Sequence, residues 1–306
     1  MVKRLRLPAR FPWHLVGFLA PAVLLYTVFM IYPLLDTLRL SLFDAGGLFV
    51  GLQNYVTLLT SGFWAPGFTN ALANNVLFFV IHMVFQNPIG LILAVLLTQK
   101  VLRGRGLYRA VIFTPTVFSI VVVGFIWKLI LSPLWGITPN IMGAVGLGGQ
   151  FQPWLGLEGP ALIVLALMSV WQWVGIPMLL FTAALLAIPE EVIEAARVDG
   201  ASAWNTFWKV QLPLILPTVG IVSVLTFVGN FNAFDLVYSV QTGLAAPNYT
   251  TDLLATYFYR TFFGINLQMP DAVMGTTVAG SMFLIILLGV AFYFFVLQRR
   301  LLRVEA

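Results

Sequence analysis

The 306-residue chain has too few charged residues to cover a water-soluble globule of its size. Hydrophobic residues make up 60% of it and charged residues 9%, and the mean hydropathy is +0.96. Soluble domains carry roughly 25% charged residues. The composition therefore predicts an integral membrane protein, and the absence of cysteine excludes disulfides, thiol catalysis and cysteine-ligated metals.

Six apolar runs are long enough to cross a bilayer, because about 20 helical residues at ~1.5 Å each span ~30 Å of hydrocarbon. The first run exceeds the ~7–15-residue core of a cleaved signal peptide, so it is interpreted as a retained helix. We predict an all-α polytopic fold with a basic N-terminus at 1–12 and one transmembrane domain over 13–306. Its helices are expected at about 13–34, 75–97, 108–131, 161–188, 214–240 and 273–297.

The distribution of basic residues predicts the orientation of the chain. With six crossings, all of the 16 Lys and Arg except Arg39, Lys128 and Arg260 fall on one side of the membrane. The basic side is cytoplasmic by the positive-inside rule, so both termini and the connection at 189–213 are predicted to lie inside. The net charge of +5 is therefore explained by the basic residues that set the orientation of the chain in the membrane, and we expect no nucleic-acid partner.

The cytoplasmic connection at 189–213 has the signals of two short helices. Pro189 suits a first helical position, two acids follow it in the first turn, and Gly200 is a natural stop. Ser202 can cap a second helix that ends at about Val210, and Pro213 precedes the next membrane helix.

The side chains of this connection leave two interpretations open. Trp204, Phe207 and Trp208 give a bulky apolar side, which suits a helix resting in the lipid interface. Ala195, Ala196 and Ala201 place only small side chains at the surface, which suits docking into a cleft of a soluble partner.

The stretch EAARVDGASAWNTFWKVQLP resembles the EAA loop of the membrane subunits of bacterial ABC importers. That pattern has Glu-Ala-Ala, three residues, Gly, nine residues, an aliphatic, one residue and Leu-Pro. The aliphatic is usually Ile and is Val here. The matching residues are Glu194, Ala195, Ala196, Gly200, Val210, Leu212 and Pro213.

Further segments resemble the carbohydrate-uptake branch of this family, of the type of the first maltose-transporter permease and the sn-glycerol-3-phosphate permeases. They are FVGLQNY (49–55), GRGLYRAVIFTP (104–115), SVW (169–171), NFNAFDLVY (230–238) and TDLLATYFYRTFF (251–263).

The resemblance implies a permease of the bacterial or archaeal cytoplasmic membrane. It would pair with a second homologous permease, two copies of an ABC ATPase subunit and an extracytoplasmic solute-binding protein. The loop would be the coupling helix that docks on the ATPase. Its expected coupling residues are Glu194, Ala195, Ala196, Asp199, Gly200, Ala201, Leu212 and Pro213.

The lysines show independently that this chain does not hold ATP in a P-loop. That motif needs a lysine directly after a glycine. No lysine of this chain follows a glycine; the four are Lys3, Lys100, Lys128 and Lys209. No cofactor is expected on this chain, and no enzyme activity; ATP and Mg would be used by the partner ATPase.

Two other classes of protein are alternatives to an ATP-driven permease. An ion-coupled secondary transporter needs ionisable residues inside the membrane, and the candidates are His82, Lys128 and Asp235. A membrane-embedded enzyme finds little support, since HExxH and GxSxG motifs are absent and the acids cluster in the cytoplasmic connection.

A candidate substrate path follows from polar and aromatic residues in the fourth and fifth helices. Amides inside a membrane helix should face a cavity or another helix, so helix–helix packing remains the alternative for each residue. Gly175 and Pro177 also favour a local helix break at a cavity.

The resemblance to the maltose permease places the sugar site on these helices. Two positions differ from that relative: Met178 stands in place of an aromatic residue and Ala233 in place of an amide. A sugar is the expected substrate, with a polyol or glycerol phosphate as the alternative. The expected substrate-binding residues are Trp171, Gly175, Pro177, Met178, Asn230, Phe231 and Asn232.

Overall fold

The computed structural model describes residues 13–99, 102–241, 245–265 and 268–298. These residues form helices joined by turns, together with isolated bridges at Phe43–Phe49 and Ile265–Gln268. The predicted all-α class is therefore confirmed.

The helices vary in length from a single turn to more than five turns. In chain order they are α1 (Trp13–Tyr26), α2 (Tyr32–Leu40), α3 (Gln53–Thr60), α4 (Ala65–Ile81), α5 (Asn87–Thr98), α6 (Arg105–Val117), α7 (Ile120–Ile130), α8 (Thr138–Ala144), α9 (Pro160–Trp173), α10 (Gly175–Leu186), α11 (Glu190–Val198), α12 (Ala203–Thr206), α13 (Leu212–Phe231), α14 (Asp235–Gln241), α15 (Leu254–Phe263) and α16 (Ala272–Phe292).

Length and composition qualify four continuous helices of the described chain as membrane spans: Val16–Leu40, Ala65–Thr98, Ala203–Phe231 and Ala272–Val296. Three bent helix pairs raise the number to as many as 7. The predicted six crossings lie between these limits, and the count and the cytoplasmic placement of both termini stay predictions. The basic segment 1–12 and residues 299–306 lie outside the described residues.

Three of the long helices contain a π-turn that ends two residues before a proline. Proline cannot donate to the carbonyl four residues back, and its ring crowds that carbonyl. In each π-turn the next N–H bonds five residues back instead, as the Leu212 N–H does to the Phe207 carbonyl. The π-turns span Thr27–Ile31, His82–Gln86 and Phe207–Gln211, and the prolines are Pro33, Pro88 and Pro213.

The structure corrects the bounds predicted for the second and third helices. The predicted helix at 75–97 begins ten residues earlier, at Ala65, and runs to Thr98. The predicted helix at 108–131 is divided into α6 and α7, which meet at 96°. Phe118 and Ser119 adopt non-helical backbone between them, and the Gln172 amide donates to the Phe118 carbonyl at 3.3 Å. The Phe118 carbonyl at the bend is thus paired with a side chain of α9. The sequence around the bend does not reveal this partner.

The fourth and fifth predicted helices are also divided. The helix predicted at 161–188 is interrupted at Val174, between α9 and α10, and ends at Leu186. The helix predicted at 214–240 stops at Phe231, and the short α14 follows after three residues. The break in the first case lies next to Gly175, as expected from the sequence.

Buried apolar side chains form several clusters between the helices. The cluster that we call the inner cluster joins α5, α10 and α13 and contains Ala94, Phe181, Leu185, Ile188, Ile215 and Val222. In contrast, α1 and the π-turn that follows it turn apolar side chains outward, with Phe18 85% and Phe29 70% exposed. Such a surface is compatible with lipid or another apolar chain and incompatible with water.

Candidate functional site

The loop that carries the EAA pattern folds as a capped helix followed by a turn. The helix α11 has Glu190 and Glu191 in its first turn, where the helix dipole favours acids. At its end the Gly200 N–H bonds the Arg197 carbonyl at 3.0 Å and the Ala201 N–H bonds the Ala196 carbonyl at 2.9 Å. This is a Schellman motif, and it requires the left-handed φ of +80° that Gly200 adopts.

The second helix of the loop is not the separate short helix that the sequence predicts. Ser202 does cap its start, accepting a bond from the Asn205 N–H at 3.3 Å. The helix then continues through the π-turn before Pro213 into α13, so that Ala203–Phe231 is one helix of 29 residues. We call this continuous element the long helix.

The loop presents one face outward and another to the inner cluster. Glu194 and Ala195 are exposed, and Val198 is 87% and Trp204 71% exposed. Ile193 packs against the inner cluster. The other expected coupling residues fall into two groups: Asp199 and Gly200 are exposed, whereas Ala196, Ala201, Leu212 and Pro213 are partly buried.

A cavity of about 400 Å³ lies at the other end of the long helix. Its polar side chains are amides, hydroxyls, one imidazole and one carboxylate, and the aromatic rings are those of Phe78, Trp173 and Phe234. The polar lining residues are His82, Gln86, Ser169, Thr226, Asn230, Asn232 and Asp235.

Three of the expected substrate-binding residues line this cavity: Asn230, Asn232 and Pro177. Asn230 is 6% exposed, and its side-chain amide bonds to no other described residue. The Asn232 amide donates to the Val228 carbonyl at 2.9 Å, which leaves its oxygen available. Because Pro177 has no N–H, the Trp173 carbonyl one turn earlier receives no helical bond from it.

The other four expected substrate-binding residues are not among the lining residues. Phe231 is buried against Phe79 and Phe227. Trp171 is 45% exposed and packs edge-on against Trp127, with ring centres 5.5 Å apart.

Gly175 and Met178 lie at helix contacts. A Cβ on Gly175 would come within 2.9 Å of the Phe113 Cα, so a glycine is needed where α10 crosses α6. Met178 is fully buried where α10 packs closely against α5. A Cβ added to Gly90 of α5 would lie only 3.1 Å from the Met178 backbone nitrogen. These residues shape the packing around the cavity.

Sequence reasoning missed a polar wall opposite the long helix. The His82 Nδ1 lies 2.8 Å from the Phe78 carbonyl oxygen, and its Nε2 lies 3.0 Å from the Ser169 hydroxyl. Since a carbonyl only accepts, Nδ1 carries the proton and Nε2 accepts from Ser169. Gln86 is 6% exposed, and its Oε1 has no hydrogen-bond partner among the described residues. The one available signal was the polar group His82, Gln86 and Asn87 inside an apolar run.

The intramembrane ionisable residues do not form a continuous relay in the described chain. The Lys128 ammonium donates to the Val240 carbonyl at 3.1 Å and so caps the end of α14. Asp235 begins α14 and makes no ion pair with the described residues. His82 hydrogen-bonds the Phe78 carbonyl and the Ser169 hydroxyl, and neither of these is an ionisable group. This arrangement does not favour ion-coupled transport.

The fold and the two sites together define a multi-pass helical membrane protein of the transport class, with a surface loop connected by one helix to a polar cavity. Residues 86–303 match the family described as binding-protein-dependent transport system inner membrane component. The chain belongs to this family and is a component of the inner membrane.

Two of the similar proteins are sugar permeases by name. The lactose transport system permease protein LacF of Rhizobium radiobacter is 34% identical, over 86% of each chain. The alpha-glucoside transport system permease protein AglF of Rhizobium meliloti (strain 1021) is 33% identical, over 81% of this chain and 73% of the relative.

A solved structure shows the same fold. It is that of a bacterial ABC transporter involved in the import of the acidic polysaccharide alginate. Its similar chain has a TM-score of 0.78 at 24% identity, over 94% of this chain and 96% of that one.

Proposed function

We propose that this chain forms half of the pore of an ATP-driven sugar importer. It pairs with a second homologous permease, two copies of an ABC ATPase subunit and an extracytoplasmic solute-binding protein. The observation that carries the proposal is the long helix Ala203–Phe231, which begins in the exposed loop and reaches Asn230 in the cavity. At ~1.5 Å per residue it is about 40 Å long, enough to carry a push from the ATPase to the cavity.

The energy for transport comes from the partner subunit. A P-loop needs a lysine after glycine, and this chain has none. ATP and Mg²⁺ are therefore bound by the ATPase, and the exposed Glu194 and Gly200 region is the surface on which it docks. The inner cluster, against which Ile193 and Leu212 pack, transmits the movement to α5 and α10.

The lining of the cavity favours an uncharged polyhydroxylated substrate. Amides and hydroxyls exchange hydrogen bonds with sugar hydroxyls, and aromatic rings cover the apolar face of a sugar ring. No Lys or Arg is among the described lining residues, and Asp235 is the charged one. A phosphate or a carboxylate would meet a carboxylate without a counter-ion, so a neutral sugar fits better than glycerol phosphate. The names of LacF and AglF support the same substrate class.

Uptake into proteoliposomes tests this function. The vesicles contain the whole complex, MgATP inside and ionophores that collapse ion gradients. Labelled lactose, maltose, glucose, glycerol and glycerol phosphate are offered outside with candidate binding proteins. We expect ATP-dependent uptake of a neutral sugar. Uptake that requires an ion gradient and ignores ATP contradicts the mechanism, and preferred uptake of glycerol phosphate contradicts the substrate class.

A further inference from the structure

Residues 245–263, which lie between α14 and α16, form a segment that α4 holds in place. We call it the outer segment. The Asn74 amide of α4 donates to the carbonyls of Thr250 and Asp252, both at 2.8 Å. Neither of these two bonds involves the long helix, so the Asn74 side chain links the segment to α4 only.

A buried ion pair makes the outer segment stiff. The Asp252 carboxylate is fully buried and accepts a hydrogen bond from Arg260 Nε at 2.7 Å and one from the Thr256 hydroxyl at 2.9 Å. The Arg260 Nη2 completes the ion pair, 2.7 Å from the same carboxylate oxygen that accepts from Nε. The Arg260 guanidinium also lies 4.3 Å from the ring centre of Tyr249 and 4.7 Å from that of Tyr257. Burial raises the pKa of Asp252, and the Arg260 charge opposes that rise. With so many fixed partners, the segment should move as one body.

Asn75 differs from its neighbour because it bonds two different elements. Its Nδ2 donates to the Asn230 carbonyl at 2.8 Å, and its Oδ1 accepts from the Leu254 N–H at 2.6 Å. The side chain is fully buried. Only one orientation of the amide satisfies a carbonyl and an N–H at once, so the bridge is specific. It joins the cavity end of the long helix to the first residue of α15.

We propose that Asn75 is a positioning residue that couples the outer segment to the long helix during the transport cycle. A movement of the coupling loop then reaches the outer face through the long helix. The Asn75 amide is the polar link there, beside the buried apolar cluster that contains Phe231, Leu254 and Tyr257. The reverse route carries a change at the outer face to the ATPase, since coupling between two sites is reciprocal. The inference rests on the proposed function only in requiring an ATPase at the coupling loop; it does not depend on the substrate.

Asn74 supplies a matched control for a purely structural role. Both asparagines lie on α4 and both hold the outer segment, but only Asn75 also holds the long helix. If α4 merely anchors the segment, loss of either amide should have the same effect. If the bridge transmits movement, only loss of Asn75 should uncouple the two ends.

This chain has no native cysteine, so labelling followed on this subunit alone tests the difference. Phe263 is 58% exposed on α15, and Phe263→Cys gives one reporter thiol on the outer segment. Its maleimide labelling rate is measured in the assembled complex, without nucleotide and after trapping with MgATP and vanadate. We expect trapping to change the rate about fivefold or more, the lower end of typical allosteric coupling. Asn75→Leu should abolish the change, and Asn74→Leu should preserve it.

The possible results separate the alternatives. The proposal is overturned if trapping leaves the reporter unchanged in the parent complex, if Asn75→Leu keeps the change, or if Asn74→Leu loses it equally. Should Asn75→Leu fail to assemble, Asn75→Ser replaces it, since a serine hydroxyl is too short to reach both partners. Because the readout uses MgATP and vanadate alone, a wrong sugar assignment would leave this result intact.

Discussion

Asn230 combines two roles at the residue scale, because its side chain and its backbone face different parts of the protein. The side-chain amide lines the cavity without a described partner, whereas the carbonyl accepts the bond from Asn75. Replacing the side chain therefore tests substrate binding and leaves the bridge in place.

We expect Asn230→Ala to raise the KM for sugar uptake. A neutral hydrogen bond contributes about 0.5–1.5 kcal/mol, which corresponds to roughly 2- to 12-fold in affinity. Transport assays in proteoliposomes measure the change, with basal ATP hydrolysis as a second readout that should stay constant. Ser223→Ala on the same helix is the control, because that hydroxyl bonds its own helix at the Val219 carbonyl. An unaltered KM across the sugar panel would remove Asn230 from the site.

Gly200 offers a second test at the residue scale. Its φ of +80° is left-handed, and no atom lies within 4 Å of the position a Cβ would take. Gly200→Ala should therefore cost about 1–2 kcal/mol through backbone strain alone. We expect weaker ATPase binding and lower ATP-driven uptake, with normal membrane insertion, measured by co-purification and transport. Gly106→Ala, in open space on a helix, should affect neither. Equal activity of both variants would show that the turn does not matter for coupling.

The element that unites the two sites is the long helix. Its π-turn lets the chain pass Pro213 without a break, so a proline that would normally end or kink a helix lies within a continuous one. A stiff helix would transmit a movement of the loop to the cavity, whereas a flexible linker would not. An insertion in the helix distinguishes the two.

Three glycines inserted between Val210 and Gln211 should uncouple hydrolysis from transport. Glycine destabilises a helix by about 1 kcal/mol per residue, so the insertion should soften the connection. We expect ATPase activity to persist while sugar uptake falls to background, with both rates measured on the same proteoliposomes. The same insertion between Gly148 and Gly149, in the connection before α9, is the control. Full uptake with the first insertion would contradict transmission through the helix.

The whole molecule presents an apolar surface around a few polar sites, and the predicted orientation places the coupling loop in the cytoplasm. The coupling loop and the outer segment must lie on opposite sides if the long helix spans the bilayer. Val198 is 87% and Met269 is 85% exposed, one in the loop and the other just beyond the outer segment.

Single-cysteine labelling tests this orientation. A membrane-impermeant maleimide added to right-side-out vesicles should label Met269→Cys and spare Val198→Cys, and inverted vesicles should give the opposite result. The chain without added cysteine controls for background. Labelling of Val198→Cys from outside would contradict the assignment of the loop to the cytoplasm.

The sequence alone determined the features that depend on composition and on neighbouring residues. Low charge and long apolar runs implied a membrane protein whatever the details of packing. The helix α11 followed from two acids in its first turn and from Gly200 after its end, which act within one or two turns. Pro189, predicted at the first helical position, lies just before the helix. The EAA pattern, at its fixed spacing, led to the family that the comparison of residues 86–303 confirmed.

Only the tertiary structure decided the helix breaks, the cavity lining and the bridge at Asn75. The bend before α7 depends on Gln172, and the polar wall depends on the pairing of His82 with Ser169. Asn75 bonds residues more than 150 positions away in the chain. A buried amide or imidazole has several possible partners in any membrane bundle, and nothing local selects among them. The choice is made when the helices pack, because only then do most buried polar groups meet the neighbours that satisfy them.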